Sequence, residues 1–253
     1  MRLVQIYFSP TGGTKKVADI VGKVWDREKV EIDLSKPQEE TAIEQEDVCI
    51  VAVPVFGGRV PSIVKDRLEK QNGHGAQAVL IAVYGNRAYE DALLELKDIV
   101  TKQGFVCGAA IAAVAEHSIM RQFAAGRPDE KDMEQLVSFG KQIQCRFSEG
   151  KKISSLRLPG NDPYKAYGVF PVVPKATEFC GKCGLCARLC PVEAIDKNHP
   201  METDSNRCIS CMRCVAVCPS NARKIDEALV EQLSKKMEKV CSARKENQLF
   251  LGI

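Results

Sequence analysis

The chain has 253 residues, long enough for two domains of unequal size, each with its own core. Apolar residues make up 45% and charged residues 27%, an ordinary globular composition, and 36 Lys plus Arg against 33 Asp plus Glu leave a net charge of only +3. That balance is too small to argue for a nucleic-acid or lipid-surface partner, so no nucleic acid is expected and the partner is left open. No run of about 18 apolar residues reads as a membrane span, and the start runs straight into a strand without a signal-peptide pattern, so a cytoplasmic setting is expected.

In chain order, residues 1–148 alternate between strand and helix. Apolar runs at 3–8, 48–53, 78–84 and 105–115, with a weaker one at 30–34, suit buried parallel strands. Helices are expected at 14–25, 61–70, 89–103 and 129–147. This alternation predicts a five-stranded parallel α/β sheet, doubly wound, with right-handed crossovers. Ligands of such sheets bind beyond the carboxyl ends of the strands, so the loops after the first, third and fourth strands are the places to look.

The loop after the first strand reads FSPTGGTKK from Phe8. It fits neither the G-x4-G-K-S/T phosphate loop nor G-x-G-x-x-G. It does fit S-x-T-G-x-T, with Ser9, Thr11, Gly12 and Thr14. Gly12 and Gly13 allow close backbone approach to an anion, the hydroxyls add donors, and the helix start adds free amides. Helix capping alone would account for one of these hydroxyls. The loop resembles the FMN phosphate loop of flavodoxins. That resemblance implies flavin contacts from Pro54, Val55, Phe56, Gly57 and Gly58 after the third strand, and from Tyr84, Gly85, Asn86, Arg87 and Tyr89 after the fourth. Phe56 and Tyr84 read equally as core aromatics, and Tyr89 as a helix-start surface residue. Arg59 and Arg87 read either as solvated surface charges or as candidates to balance a reduced flavin's charge. After the fifth strand, His117 reads either as a pocket residue or, more ordinarily for a lone histidine, as a hydrogen-bonded loop residue.

Residues 149–178 carry Pro159, Pro163, Pro171 and Pro174 and read as a linker lying against one or both domains. Residues 179–223 then contain a repeat: CGKCGLCARLCPVEA from Cys180 recurs 28 residues on as CISCMRCVAVCPSNA from Cys208. Eight of the chain's 12 cysteines lie in this stretch, and clustering of this kind in a chain without an export signal points to metal before disulfides. Zinc also takes four thiolates, but its usual sites pair two separated C-x2-C knuckles. The double C-x2-C-x2-C-x3-C-P run resembles a bacterial two-cluster ferredoxin domain. The resemblance implies one 4Fe-4S cluster on Cys180, Cys183, Cys186 and Cys218 and a second on Cys208, Cys211, Cys214 and Cys190. Residues 224–253 read as a charged helix, about 226–246, and a tail.

The whole resembles bacterial and archaeal flavodoxin-ferredoxin fusion proteins. An electron-transfer oxidoreductase follows from it, passing electrons between two 4Fe-4S clusters and FMN in exchange with ferredoxin-like or flavin-dependent partners. The alternatives are an FMN-dependent reductase of a small molecule fed by the clusters, and an iron-sulfur sensor whose flavodoxin-like domain is empty. No general acid, base or nucleophile is assigned.

Overall fold

A computed structural model describes residues 1–37, 40–149, 155–168 and 171–252. Strand β1 (Leu3–Tyr7) is buried along its whole length, as an interior strand covered on both faces must be. After helix α1 (Gly13–Gly22) come β2 (Lys29–Asp33), β3 (Val48–Pro54), α2 (Ser62–Leu68), β4 (Gln77–Tyr84), α3 (Ala92–Lys102), β5 (Val106–Val114) and α4 (Glu130–Ser148). The five strands pair in parallel in the order β2-β1-β3-β4-β5. This is the flavodoxin-like doubly wound order, with its switch point between β1 and β3.

Each face of the sheet has its own apolar layer. Val17 and Val21 of α1 and Leu136 of α4 pack with Leu3, Ile50 and Ile111 on one side. Val64 of α2 and Leu93 and Leu96 of α3 pack with Ile6, Val51 and Leu80 on the other. Burial of such side chains contributes roughly 1.5–3 kcal/mol each. Helix α3 starts at Ala92, later than the expected residue 89. Glu90 has a left-handed backbone (φ 44°), and the Asp91 carboxylate accepts from the backbone amides of Asn161 (2.8 Å) and Lys165 (2.7 Å). These bonds lay part of the 149–178 segment along α3. Its Leu156 enters the core, and at its far end Val172 is fully buried and donates from its amide to Ser210 Oγ at 3.0 Å. Residues 150–154 and 169–170 of the expected linker lie outside the described residues.

The cysteine-rich stretch folds as two copies of one short unit. Strand β6 (Lys175–Ala176) precedes α5 (Leu185–Arg188), and α6 (Arg213–Ala216) precedes β7 (Arg223–Lys224), which pairs antiparallel with β6. The 28-residue sequence offset reappears in the backbone: left-handed residues fall at Lys182 and Ser210, Gly184 and Met212, and Glu193 and Asn221. A further helix, α7 (Glu227–Cys241), is capped by Asp226, whose side chain accepts from Leu229 N. It stops short of the expected residue 246. The next residues run back to the first domain and end in β8 (Gln248–Leu251), which joins the sheet antiparallel to β5. The five expected parallel strands thus gain a sixth, which covers one exposed sheet edge.

The return path is held by buried polar side chains. Asn86 Nδ2 donates to the carbonyls of Cys241 (2.6 Å) and Ala243 (2.8 Å), and Lys245 N donates to Asn86 Oδ1 at 3.2 Å. Asn247 donates to Asp132 at 3.0 Å and accepts from Val114 N at 2.8 Å.

Candidate functional site

Beyond the carboxyl ends of β1, β3, β4 and β5 lies a cavity of ≈ 250 Å³, its lining apolar in the main. Its floor is built by the three loops the sequence singled out. Thr11, Gly13 and Thr14 line it from the first loop, Pro54, Val55, Phe56 and Gly57 from the second, and Tyr84, Gly85 and Arg87 from the third. Gly12 does not line it. It sits at φ +92° as the N-cap of α1, a conformation suited to glycine, and this bend starts the helix against the cavity. Among the described residues nothing accepts from the backbone amides of Thr11, Gly13 and Thr14. Free amides at a helix start beside two hydroxyls fit a phosphate monoester.

Four other expected residues are placed differently. Ser9 is buried and its Oγ accepts from Lys15 N at 2.9 Å, so this hydroxyl serves as a helix cap. Gly58 occupies a tight turn: Phe56 and Arg59 exchange backbone hydrogen bonds of 3.0 and 3.1 Å, with Gly57 at φ +60° and Gly58 at φ +89°. Both central positions of such a turn need a positive φ. Asn86, 2% exposed, is engaged with the C-terminal segment, and Tyr89 donates from its hydroxyl to Gln248 Oε1 at 2.5 Å, so neither lines the cavity. Position after the fourth strand suggested a flavin edge for this pair. Physically, they anchor the last strand.

The aromatic pair readings resolve in part. Phe56 meets Phe8 edge-on at 6.5 Å, and Tyr84 meets Tyr89 edge-on at 5.5 Å, so each belongs to the core and to the cavity wall together. Burial pushes the Tyr84 hydroxyl up to about 12. Arg59 is spent elsewhere, paired twice at 2.8 Å with Glu95. Arg87 lines the cavity and pairs with Glu90 at 2.7 Å.

His117 lines the cavity as well, together with Ile119 and Met120. Its Nδ1 accepts from the amides of Ile119 and Met120, both at 3.2 Å, which leaves the ring proton on Nε2. Burial first, and Arg87 second, depress its pKa from 6.5 to about 4. A base whose folded pKa is depressed stabilises the fold fully above its unfolded value and loses that contribution as pH falls. Acid titration should therefore destabilise the protein between about pH 6.5 and pH 4, by up to roughly 3 kcal/mol. Chemical denaturation across this window, compared with His117→Gln, measures it: the variant's profile should be flatter.

The roof of the cavity comes from parts of the chain that the sequence pattern left without a destination. Leu233 and Met237 of α7 line it, and with Val230 and Cys241 they pack on Met120 and Phe123. The signal was present as an apolar stripe at helical spacing, though it carried no information about its partner. Val172, Ser210 and Cys211 line the same cavity from the cysteine-rich module.

That module brings the eight cysteines together in two quartets. Cys180, Cys183, Cys186 and Cys218 wall one cavity, and Cys190, Cys208, Cys211 and Cys214 wall another, as the resemblance implied. Each quartet encloses a space, and among the described residues none converges on a point to hold a single ion. Related amides point at the two crossing cysteines: Ala194 N donates to Cys190 Sγ at 3.3 Å and Ala222 N to Cys218 Sγ at 3.2 Å. Burial raises the Cys211 and Cys214 thiols to about 12. Cys218 is held below the ordinary thiol value: burial opposes this, but hydrogen bonds from Ser220 and from the amides of Ala222, Arg223 and Ser220 outweigh it. Apart from these sulfurs the module has little apolar interior, its buried cluster being Cys186, Ala187 and Ile195. So small a core needs another source of stability, and a metal group held by eight thiolates would be one.

Parts of the chain are similar to known proteins. Residues 179–222 match the family model of the 4Fe-4S dicluster domain. The iron-sulfur cluster-binding subunit of a menaquinone reductase from Nitratidesulfovibrio vulgaris is 32% identical over 121 residues, which cover 46% of this chain and 40% of that protein. A trichloroethene reductive dehalogenase from Dehalococcoides mccartyi is 34% identical over 92 residues, covering 30% of this chain and 16% of that protein. The chain thus spans less than half the length of these two curated relatives. Among solved structures, flavodoxin 1 from Bacillus cereus is 21% identical, covering 57% of this chain and 98% of its own, with a TM-score of 0.44.

Proposed function

We propose that this protein, a flavodoxin-like domain fused to a ferredoxin-type iron-sulfur module, is an electron-transfer oxidoreductase in which two 4Fe-4S clusters exchange electrons with an FMN. The carrying observation is Cys211, which lines both the second thiolate-walled cavity and the cavity at the strand ends. Its neighbour Ser210 also lines the strand-end cavity and ties the linker down through Val172. FMN supplies one- and two-electron chemistry when bound, whereas each cluster passes electrons singly.

The chain's own residues divide the work. Thr11, Gly13 and Thr14 bind the phosphate. Pro54, Val55, Phe56, Gly57, Tyr84, Gly85 and Arg87 enclose the ring, and Ile119, Met120, Leu233 and Met237 shield it from water. The second quartet stands at the flavin side of the module. The first has the exposed Cys183 and, next to Cys180, Phe179 at 74% exposure, a face open to a one-electron redox partner. Among the described residues no helix is long and apolar enough to cross a membrane.

Anaerobic purification with iron, sulfide and flavin quantified on one sample tests the reading. About eight irons, about eight sulfides and about one FMN per chain are expected. Absence of iron would end the cluster assignment. Absence of flavin, with no uptake of added FMN, would leave an iron-sulfur module on an empty domain. In the same preparation, Thr14→Val should weaken FMN retention by about ten- to a hundredfold, the worth of one hydrogen bond to a charged group, at unchanged iron content. Equal flavin content would reject the phosphate loop.

A further inference from the structure

A second cleft, of ≈ 290 Å³, lies where α2 of the flavodoxin-like domain faces the iron-sulfur module. Its wall carries Lys36, Arg67, Arg188, Lys197, Arg207 and Arg213, and among the described residues its one carboxylate is Glu193. So dense a set of cations stands out in a chain whose net charge is only +3. Among the described residues neither Lys197 nor Arg213 makes an ion pair, and Arg207 makes one. The Glu193 carboxylate lies 3.6 Å from Arg207, an exposed pair worth little. Arg213 lines both this cleft and the cavity of the second cysteine quartet. Arg67 spans the two modules, donating from Nη2 to the Pro191 carbonyl at 2.7 Å and from Nη1 to Leu34 O. Burial lowers its pKa, while the Asp33 and Asp66 carboxylates work the other way.

We propose that this cleft binds a small polyanion bearing a pyrophosphate group. Guanidinium forks match phosphate oxygens two at a time. The space is that of a small-molecule site and is recessed between modules, which favours a compact anion over the flat surface of an acidic protein. One phosphate would take the Lys197 and Arg207 side, and the other would take Arg213, so the ligand would also staple the two modules across the interface that Arg67 already bridges. The site is separate from the phosphate loop of α1, and its existence does not depend on flavin occupying the other cavity.

Isothermal titration of the cluster-loaded full chain with inorganic pyrophosphate and, in a second arm, adenosine diphosphate, both at constant ionic strength, tests this. Both should bind, and tighter binding of the nucleotide would assign a nucleoside diphosphate as the source, whereas equal binding assigns the inorganic anion. Lys197→Gln with Arg207→Gln, both exposed residues, should weaken binding at least about tenfold at unchanged iron and flavin content. No heat with either probe, or the same affinity in the double variant, would overturn the proposal. Salt-sensitive binding of an acidic carrier protein in place of both anions would overturn it too, in favour of a docking surface.

Discussion

Replacing Cys211 by alanine should halve the iron of the purified protein, from about eight to about four per chain, and leave its flavin bound. It should also uncouple the flavin from the clusters. Cys211 belongs to the quartet with Cys190, Cys208 and Cys214, and no other cysteine lines the strand-end cavity among the described residues. With that quartet broken, reduction of the flavin by a carrier that delivers electrons to the clusters must proceed through encounters between separate chains. A tethered centre acts at about millimolar effective concentration, so at micromolar protein the flavin should reduce roughly 10³-fold more slowly, at a rate that grows with protein concentration. Cys183→Ala is the contrast. It removes a ligand of the other quartet, an exposed one, and should cost the same iron while leaving the flavin-side quartet intact. Stopped-flow absorbance of both variants decides the matter: no loss of flavin reduction in Cys211→Ala would reject the route, and a loss in Cys183→Ala as well would mark the first quartet as the point of entry.

How far the sequence reached can be read from particular residues. Four of the parallel strands were legible because they are buried on both faces, and the four helices because each carries an apolar stripe, patterns written within 20 or so residues, whereas β2, exposed over much of its length, gave only the weaker run at 30–34. The cysteine quartets were legible because a repeated spacing encodes a repeated backbone, down to the left-handed residues 28 positions apart. Asn86 and Tyr89 were misplaced for the opposite reason. The loop position was right, but their partners, Cys241, Ala243 and Gln248, stand more than 150 residues away, and no local pattern records such a pairing. Strand β8 is four residues, QLFL, too short to distinguish from a tail. Helix α7 showed its apolar stripe, but only the fold shows that the stripe roofs the cavity.

One buried carboxylate does much to hold that roof, and its removal is expected to be the most destabilising change in the flavodoxin-like domain. Asp132 lies in the first turn of α4 and its side chain is fully buried. It accepts from Arg127 Nε at 2.7 Å and from Arg127 Nη2, from Asn247 Nδ2 at 3.0 Å, from Arg244 Nη2 at 3.2 Å and from the Asp129 amide at 3.1 Å. Asp132→Ala removes all of these acceptors at once. The Arg127 guanidinium, only 4% exposed, would keep its bond to the Lys245 carbonyl (2.8 Å) but lose its counter-charge. Stranding a buried charge in this way costs about 3–5 kcal/mol, and the capping box of α4 is lost with it. The effect should travel along the chain: Asn247 also holds Val114 N, so β8 loosens from β5, and α7 loses the return path that seats Leu233 and Met237 over the cavity. Flavin retention should therefore fall together with the denaturation midpoint, while iron content stays near its starting value. Lys131→Ala supplies the control on the same helix. Its pair with Glu246, 2.9 Å long but 64% and 49% exposed, should be worth less than about 1 kcal/mol. If the two variants proved equally stable, the C-terminal segment would have to be carried by its contacts with Asn86, and the carboxylate would be no more than a helix cap.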